Sequence, residues 1–96
     1  MNKKITLTQA KQIGNKLKIN FDVVDPKEWQ YAMQVELEHG THNKRTNVTG
    51  NDLLKTGKIA LAHLLEIPDY YVRLKKMEEQ ANKYWMNKKK VSILKK

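Results

Sequence analysis

Asp25-Pro26-Lys27-Glu28-Trp29-Gln30-Tyr31-Ala32-Met33-Gln34-Val35-Glu36-Leu37-Glu38-His39-Gly40 carries both ends of a helix in its own residues. Asp25 supplies an N-cap oxygen. Pro26 suits the first helical position, where a missing N–H costs nothing, and Glu28 can reach back to close a capping box. The spacing predicts a helix to about His39, with Gly40 as a left-handed stop. Trp29, Met33 and Leu37 recur at helical spacing and form the buried face, with Ala32, Glu36 and His39 beside it.

Three more helices follow outward from this one. Upstream, Thr6 or Thr8 can cap a short helix in which Ala10, Ile13, Gly14 and Leu17 share a face. Gly14 costs about 1 kcal/mol there against Ala, which a close helix–helix contact would explain. Between the two, Ile19 to Val23 alternates weakly, the nearest thing to a strand in the chain. Downstream, residues 40–51 are polar with two glycines and read as a long loop. Its Asn47-Val48-Thr49 matches a glycosylation sequon, taken as chance without a secretion signal. Asn51 or Asp52 opens a third helix, apolar over much of its circumference and expected to be the most buried element. Pro68 ends it and fits the first turn of a fourth, with Asp69 at the positive end. In that helix Tyr70, Leu74, Met77, Ala81 and Tyr84 make a stripe suited to a core or a partner-helix seam. The chain therefore reads as all-α, a single four-helix domain over residues 1–86 followed by a mobile basic tail, 87–96.

Two mirrored dyads stand out within this plan. Glu36-Leu37-Glu38-His39 is Glu-x-x-His, and His63-Leu64-Leu65-Glu66 is His-x-x-Glu; they hold two of the three histidines. Separation by three puts both side chains of a dyad on one helical face. Carboxylate and imidazole at that spacing are how helical bundles build metal sites. Glu36, His39, His63 and Glu66 would bind one divalent ion (zinc, iron or manganese), with Asp69 as a further ligand or an orienting group. In a simple antiparallel hairpin His63 would lie roughly 16 Å from the end of the second helix. Convergence therefore needs the long loop to carry the chain back, or a dimer. The other reading is structural: His39 favours a helix C-terminus, His63 is a hydrogen-bonded core histidine, and Glu66 pairs with Lys or Arg.

No cysteine nucleophile, Gly-x-Ser-x-Gly turn or phosphate-cradling glycine loop is present, and Thr56-Gly57-Lys58 lacks the rest of a P-loop. These features favour a non-enzymatic protein. The net charge of +9 is concentrated at the ends. Residues 1–21 hold five lysines and no acid, residues 80–96 hold six lysines and no acid, and all ten acids lie between. Lys83, Lys88, Lys89, Lys90, Lys95 and Lys96 are the candidate contacts to nucleic acid or to an acidic protein surface, with Tyr84 and Trp85 as stacking groups beside them. A Lys-, Asn- and Ile-rich composition also follows from an A/T-rich genome, so the charge alone does not assign a partner. No apolar run approaches the roughly 20 residues of a membrane span, and the start is not a signal peptide. A protein of the host cytoplasm or a virion, not secreted, is the expectation.

Several literal words resemble a family of small uncharacterised proteins, a domain of unknown function spread over bacteria, bacteriophages and large DNA viruses. They are Val35-Glu36-Leu37-Glu38-His39-Gly40-Thr41, Thr46-Asn47-Val48-Thr49, Thr56-Gly57-Lys58-Ile59-Ala60-Leu61-Ala62-His63-Leu64 and Pro68-Asp69-Tyr70-Tyr71, with Ala10-Lys11-Gln12-Ile13-Gly14 resembling the opening helix. The resemblance brings no activity with it. It implies that Glu36, His39, Gly40, His63, Asp69 and Tyr70 lie in the most recognisable part of the domain, and that the Lys-rich segment after Lys83 is particular to this chain. The combined reading is a small accessory or structural protein, phage- or virus-encoded, docking on protein or nucleic acid through its basic ends. The alternative is a metal-binding helical protein.

Overall fold

Side-chain caps set where each helix begins. In the structure, a computed structural model describing residues 4–42, 44–88 and 93, four helices form: α1 Leu7–Lys16, α2 Pro26–Thr41, α3 Leu53–Glu66 and α4 Tyr70–Trp85. No strand occurs among the described residues. Thr6 caps α1 in a reciprocal box with Gln9, and Asp25 accepts from the Lys27 N–H at the start of α2. Asp52 accepts from the Lys55 N–H at the start of α3. Glu28 is not needed as a box partner. The weak alternation at 19–23 becomes a turn, in which the Val23 and Val24 N–H groups both donate to the Asn20 carbonyl.

Trp29 organises the core. It is fully buried on the first turn of α2, and its indole Nε1 donates to the Ala10 carbonyl of α1 at 2.9 Å. Two glycines make room for it and its neighbours. A Cβ on Gly14 would overlap the Phe21 ring and stand 3.1 Å from the indole nitrogen. A Cβ on Gly57 of α3 would stand 2.6 Å from Ile13 Cγ2 and 3.1 Å from Leu17 Cδ1. The close approach that Gly14 implies is therefore real, and Gly57 is its counterpart on α3. Ala10, Ile13, Ala32, Met33, Leu37 and Ala60 belong to the same buried cluster as the tryptophan.

The contacts also give the helix directions. Ile5 exchanges hydrogen bonds with Gln34 and Gln30, while Ala10 meets Trp29, so α1 runs antiparallel to α2. On the other side Gly57 meets Trp29 and His63 meets Glu36, start with start and end with end. Helices α2 and α3 thus cross in the same general sense, and the loop between them stays beside the end of α2 as far as Thr49, next to Gly40.

Three expectations change. The most buried helix is α2, with Trp29, Ala32, Met33, Val35 and Leu37, whereas α3 buries only Thr56, Gly57 and Ala60. The apolar circumference of α3 is half covered because α4 contributes a single buried residue, Tyr71. Tyr70 and Leu74 pack beside it, but Met77, Ala81 and Tyr84 are exposed, so only the beginning of the α4 stripe is core. Finally, Gly40 does not stop α2. The helix continues to Thr41, whose hydroxyl donates to the Leu37 carbonyl, and the left-handed residues among those described are Lys18, Gly50 and Asn51. The proposed mobile tail from 87 falls mostly on residues 89–92 and 94–96, which lie outside the described residues.

Two of the three helical glycines, Gly57 and Gly40, should respond with opposite signs. Gly57→Ala crowds Ile13 and Leu17, and overpacking at about 1–3 kcal/mol outweighs the roughly 1 kcal/mol of helix propensity that alanine returns. Gly40→Ala meets only ordinary contacts, the nearest Thr49 Oγ1 at 3.5 Å. Urea unfolding should show a lower midpoint for the first variant and an equal or higher one for the second.

Candidate functional site

The dyads are divided between separate contacts. Glu36 on α2 and His63 on α3 converge, with His63 Nε2 3.7 Å from Glu36 Oε2, because the two helices pair end with end. His39 instead faces α4, 3.9 Å from Glu78, with both side chains about half exposed. Asp69 makes no side-chain cap for α4. It takes Arg73 one turn on, with Nε at 2.9 and 3.0 Å from its two carboxylate oxygens. That guanidinium holds the Asp69 carboxyl below the usual carboxylate range. Glu66 is exposed at the last turn of α3. Of the five residues grouped as one metal site in the sequence, Glu36 and His63 come together, and His39, Glu66 and Asp69 lie elsewhere. Among the described residues no group of three or more His, Asp or Glu side chains is placed to share an ion. The reason is helical phase: residues three apart share a face only loosely, so the contact that takes Glu36 to α3 leaves His39 turned toward α4.

The third member of the Glu36–His63 contact is Tyr71. Its hydroxyl donates to Glu36 Oε2 at 2.6 Å, a length typical of a charge-assisted O–H···O⁻ bond. Burial, then this hydrogen bond and the carboxylate charge, push the Tyr71 phenol well above its ordinary range. Tyr70 stacks flat on His63 with ring centroids 4.2 Å apart, and Tyr71 meets the same imidazole edge-on. Glu36, His63, Tyr70 and Tyr71 therefore join the ends of α2 and α3 to the first turn of α4. One signal pointed here: Pro68-Asp69-Tyr70-Tyr71 starts α4 next to the end of α3, so two tyrosines must fall near His63. Nothing in the spacing identified Tyr71 as the carboxylate's donor. Chemically the cluster is a latch: it fixes the position of α4, and its carboxylate and imidazole are partly covered by two phenol rings.

The basic end has a different character. From Gln80 onward the chain carries no acid. Lys83 is exposed in the last turn of α4, and Tyr84, 59 % exposed, meets Trp85 edge-on. The Lys88 ammonium sits 3.5 Å above the Tyr84 ring, a cation–π contact at the helix end. Lys89, Lys90, Lys95 and Lys96 lie outside the described residues.

Residues 10–80 match the family described as "Protein of unknown function (DUF5661)". No curated protein and no solved structure matches the chain. The matched stretch contains the latch and ends where the acid-free segment of α4 begins. Among the described residues no helix is long and apolar enough to cross a membrane.

The latch has an alkaline signature. A phenol whose folded pKa is raised contributes stability that is complete below the unfolded tyrosine's value of about 10 and is lost as pH rises above it. Tyr71→Phe should lower stability near neutral pH by about 1.5–3 kcal/mol, the usual value of a hydrogen bond to a charged group. It should also flatten the fall in stability above about pH 10. Urea unfolding of both proteins across that range checks this; parallel curves would remove the bond's assigned role.

Proposed function

Because the chain belongs to the DUF5661 family, whose members carry no assigned activity, we propose from its own residues that it is a non-enzymatic docking protein that holds nucleic acid through the basic end of α4. One observation carries this reading: residues 79–84 of α4 are exposed, and from Gln80 on the chain has six lysines, two neighbouring aromatic rings and no acid. Lys83 is exposed in the last turn of α4 and Lys88 just beyond it; lysines so placed neutralise phosphates and release their counterions, which gives affinity without sequence preference. Tyr84 is 59 % exposed, and an unpaired base can stack on its ring in place of the Lys88 ammonium, at about 1–3 kcal/mol per base. Asn82, Asn87 and Gln80 add amides that bond to phosphate or sugar oxygens. The lysines of residues 1–21 supply further positive field around the same protein. The bulk charge of +9 draws the protein to any polyanion, and a host cytoplasm or a virion holding a genome offers that partner. The resemblance to proteins of bacteria, bacteriophages and large DNA viruses agrees with such a setting. An acidic protein surface is the competing partner for the same lysines.

Salt dependence separates the two partners. Deleting residues 88–96 removes five lysines. On random duplex DNA the slope of log K against log salt should become shallower by up to about 4.5 units, at about 0.9 for each phosphate no longer neutralised. Tyr84→Ala should weaken binding to single-stranded more than to duplex DNA. Fluorescence anisotropy across a salt series measures both. An unchanged slope in the deleted protein would remove the nucleic-acid reading.

A further inference from the structure

An open groove of about 1040 Å³ runs between the 17–24 turn, the start of α2, the end of α3 and the start of α4. Its walls are aliphatic side chains from three separate parts of the chain: Leu17, Ile19 and Val23 from the turn, Leu61 and Leu65 from α3, and Val72 from α4. Val23 is 79 %, Leu65 76 % and Val72 49 % exposed. Exposed apolar residues scattered singly are ordinary, but three elements turning them into one concavity make a contiguous patch of the kind that marks an interaction surface. The groove exists because α4 docks by its first turns only, leaving the apolar circumference of α3 uncovered on this side.

We propose that this groove docks an amphipathic helix of a partner protein, one whose apolar face is flanked by acidic residues. The proposal uses a different surface from the basic end of α4 and stands independently of the nucleic-acid reading. Size fits first: a helix about 10 Å across filling that volume spans about two turns, enough for anchors at i, i+3 or i+4, and i+7. Mode fits second. Strand addition needs an open sheet edge, and the described residues hold no strand. Charge decides the flanks. Lys18, Lys27, Lys75 and Lys76 border the groove against Glu28 and Glu79, and the third bordering acid, Asp69, is already engaged by Arg73. Charge also disfavours the other occupants. A second copy brings its own net +9, and the chain's own apolar Val91-Ser92-Ile93-Leu94 is bracketed by Lys88–Lys90 and Lys95–Lys96. Either would place like charges together along the rim, which selects against them.

The test is selection from a displayed library of amphipathic helices about five turns long, with varied apolar anchors and varied flanking charge. The full chain serves as target, and a Leu65→Asp/Val72→Asp variant as counter-target. Both substituted side chains are exposed, so the variant should keep the wild-type thermal midpoint. The expected winners are acid-flanked helices that bind the full chain at least tenfold more tightly than the double variant, and that lose binding to a Lys75→Glu/Lys76→Glu protein. No enrichment over the double variant, or winners with basic or neutral flanks, would overturn the proposal. So would a concentration-dependent dimer in sedimentation that Leu65→Asp abolishes, since the groove would then belong to a second copy.

Discussion

The Trp29 indole is the piece on which the remaining packing depends. Its N–H is used up on the Ala10 carbonyl, so a large polar-tipped ring can sit with no exposure at the meeting point of three helices. A buried indole without that acceptor would cost a lost hydrogen bond. Gly14 lies beside the ring on α1, and Gly57 on α3 lets Ile13 and Leu17 close over the same region. In a protein of 96 residues, where little surface can be buried, one such junction does much of the ordering. It brings α1, α2 and α3 together without any help from α4.

Local chemistry was legible in the sequence, and so were the four helices. Thr6, Asp25 and Asp52 cap helices through interactions with residues two or three positions away, and such contacts are visible as spacing. Gly14 was legible as a close approach because its helical cost demands a reason. The larger differences concern which face meets which. An apolar circumference showed that α3 could be buried all round, but burial is a property of neighbours, and the neighbour on one side, α4, turns away after Leu74. Gly40 had the residue type of a stop, yet Thr41 continues the turn and ties its hydroxyl to the Leu37 carbonyl.

The candidate site divides in the same way. That Glu36 and His63 belong together could be suspected from the mirrored dyads and a loop long enough to bring them into register. The partner of Glu36 could not, because Tyr71 lies 35 residues away on a helix whose docking angle no periodicity encodes. His39 and Asp69 found Glu78 and Arg73 instead, both on α4. The family segment thus contains the junction and the latch, while the acid-free run of lysines lies beyond it. The parts that set the fold and the part that sets the charge occupy separate stretches of chain.

Helix α4 is in effect a cantilever. It is clamped at one end by Tyr71 on Glu36 and by Tyr70 on His63, meets α2 again where Glu78 lies 3.9 Å from His39, and is about 24 Å long over its 16 residues. A tilt of about 10° at the clamped end would move the far end by about 4 Å on that length. Val72, Lys75 and Lys76 lie near the clamp, and Lys83 and Tyr84 near the tip. Anything that shifts the first group by a small amount must swing the second through a larger arc, so the groove wall and the basic tip are two points on one lever.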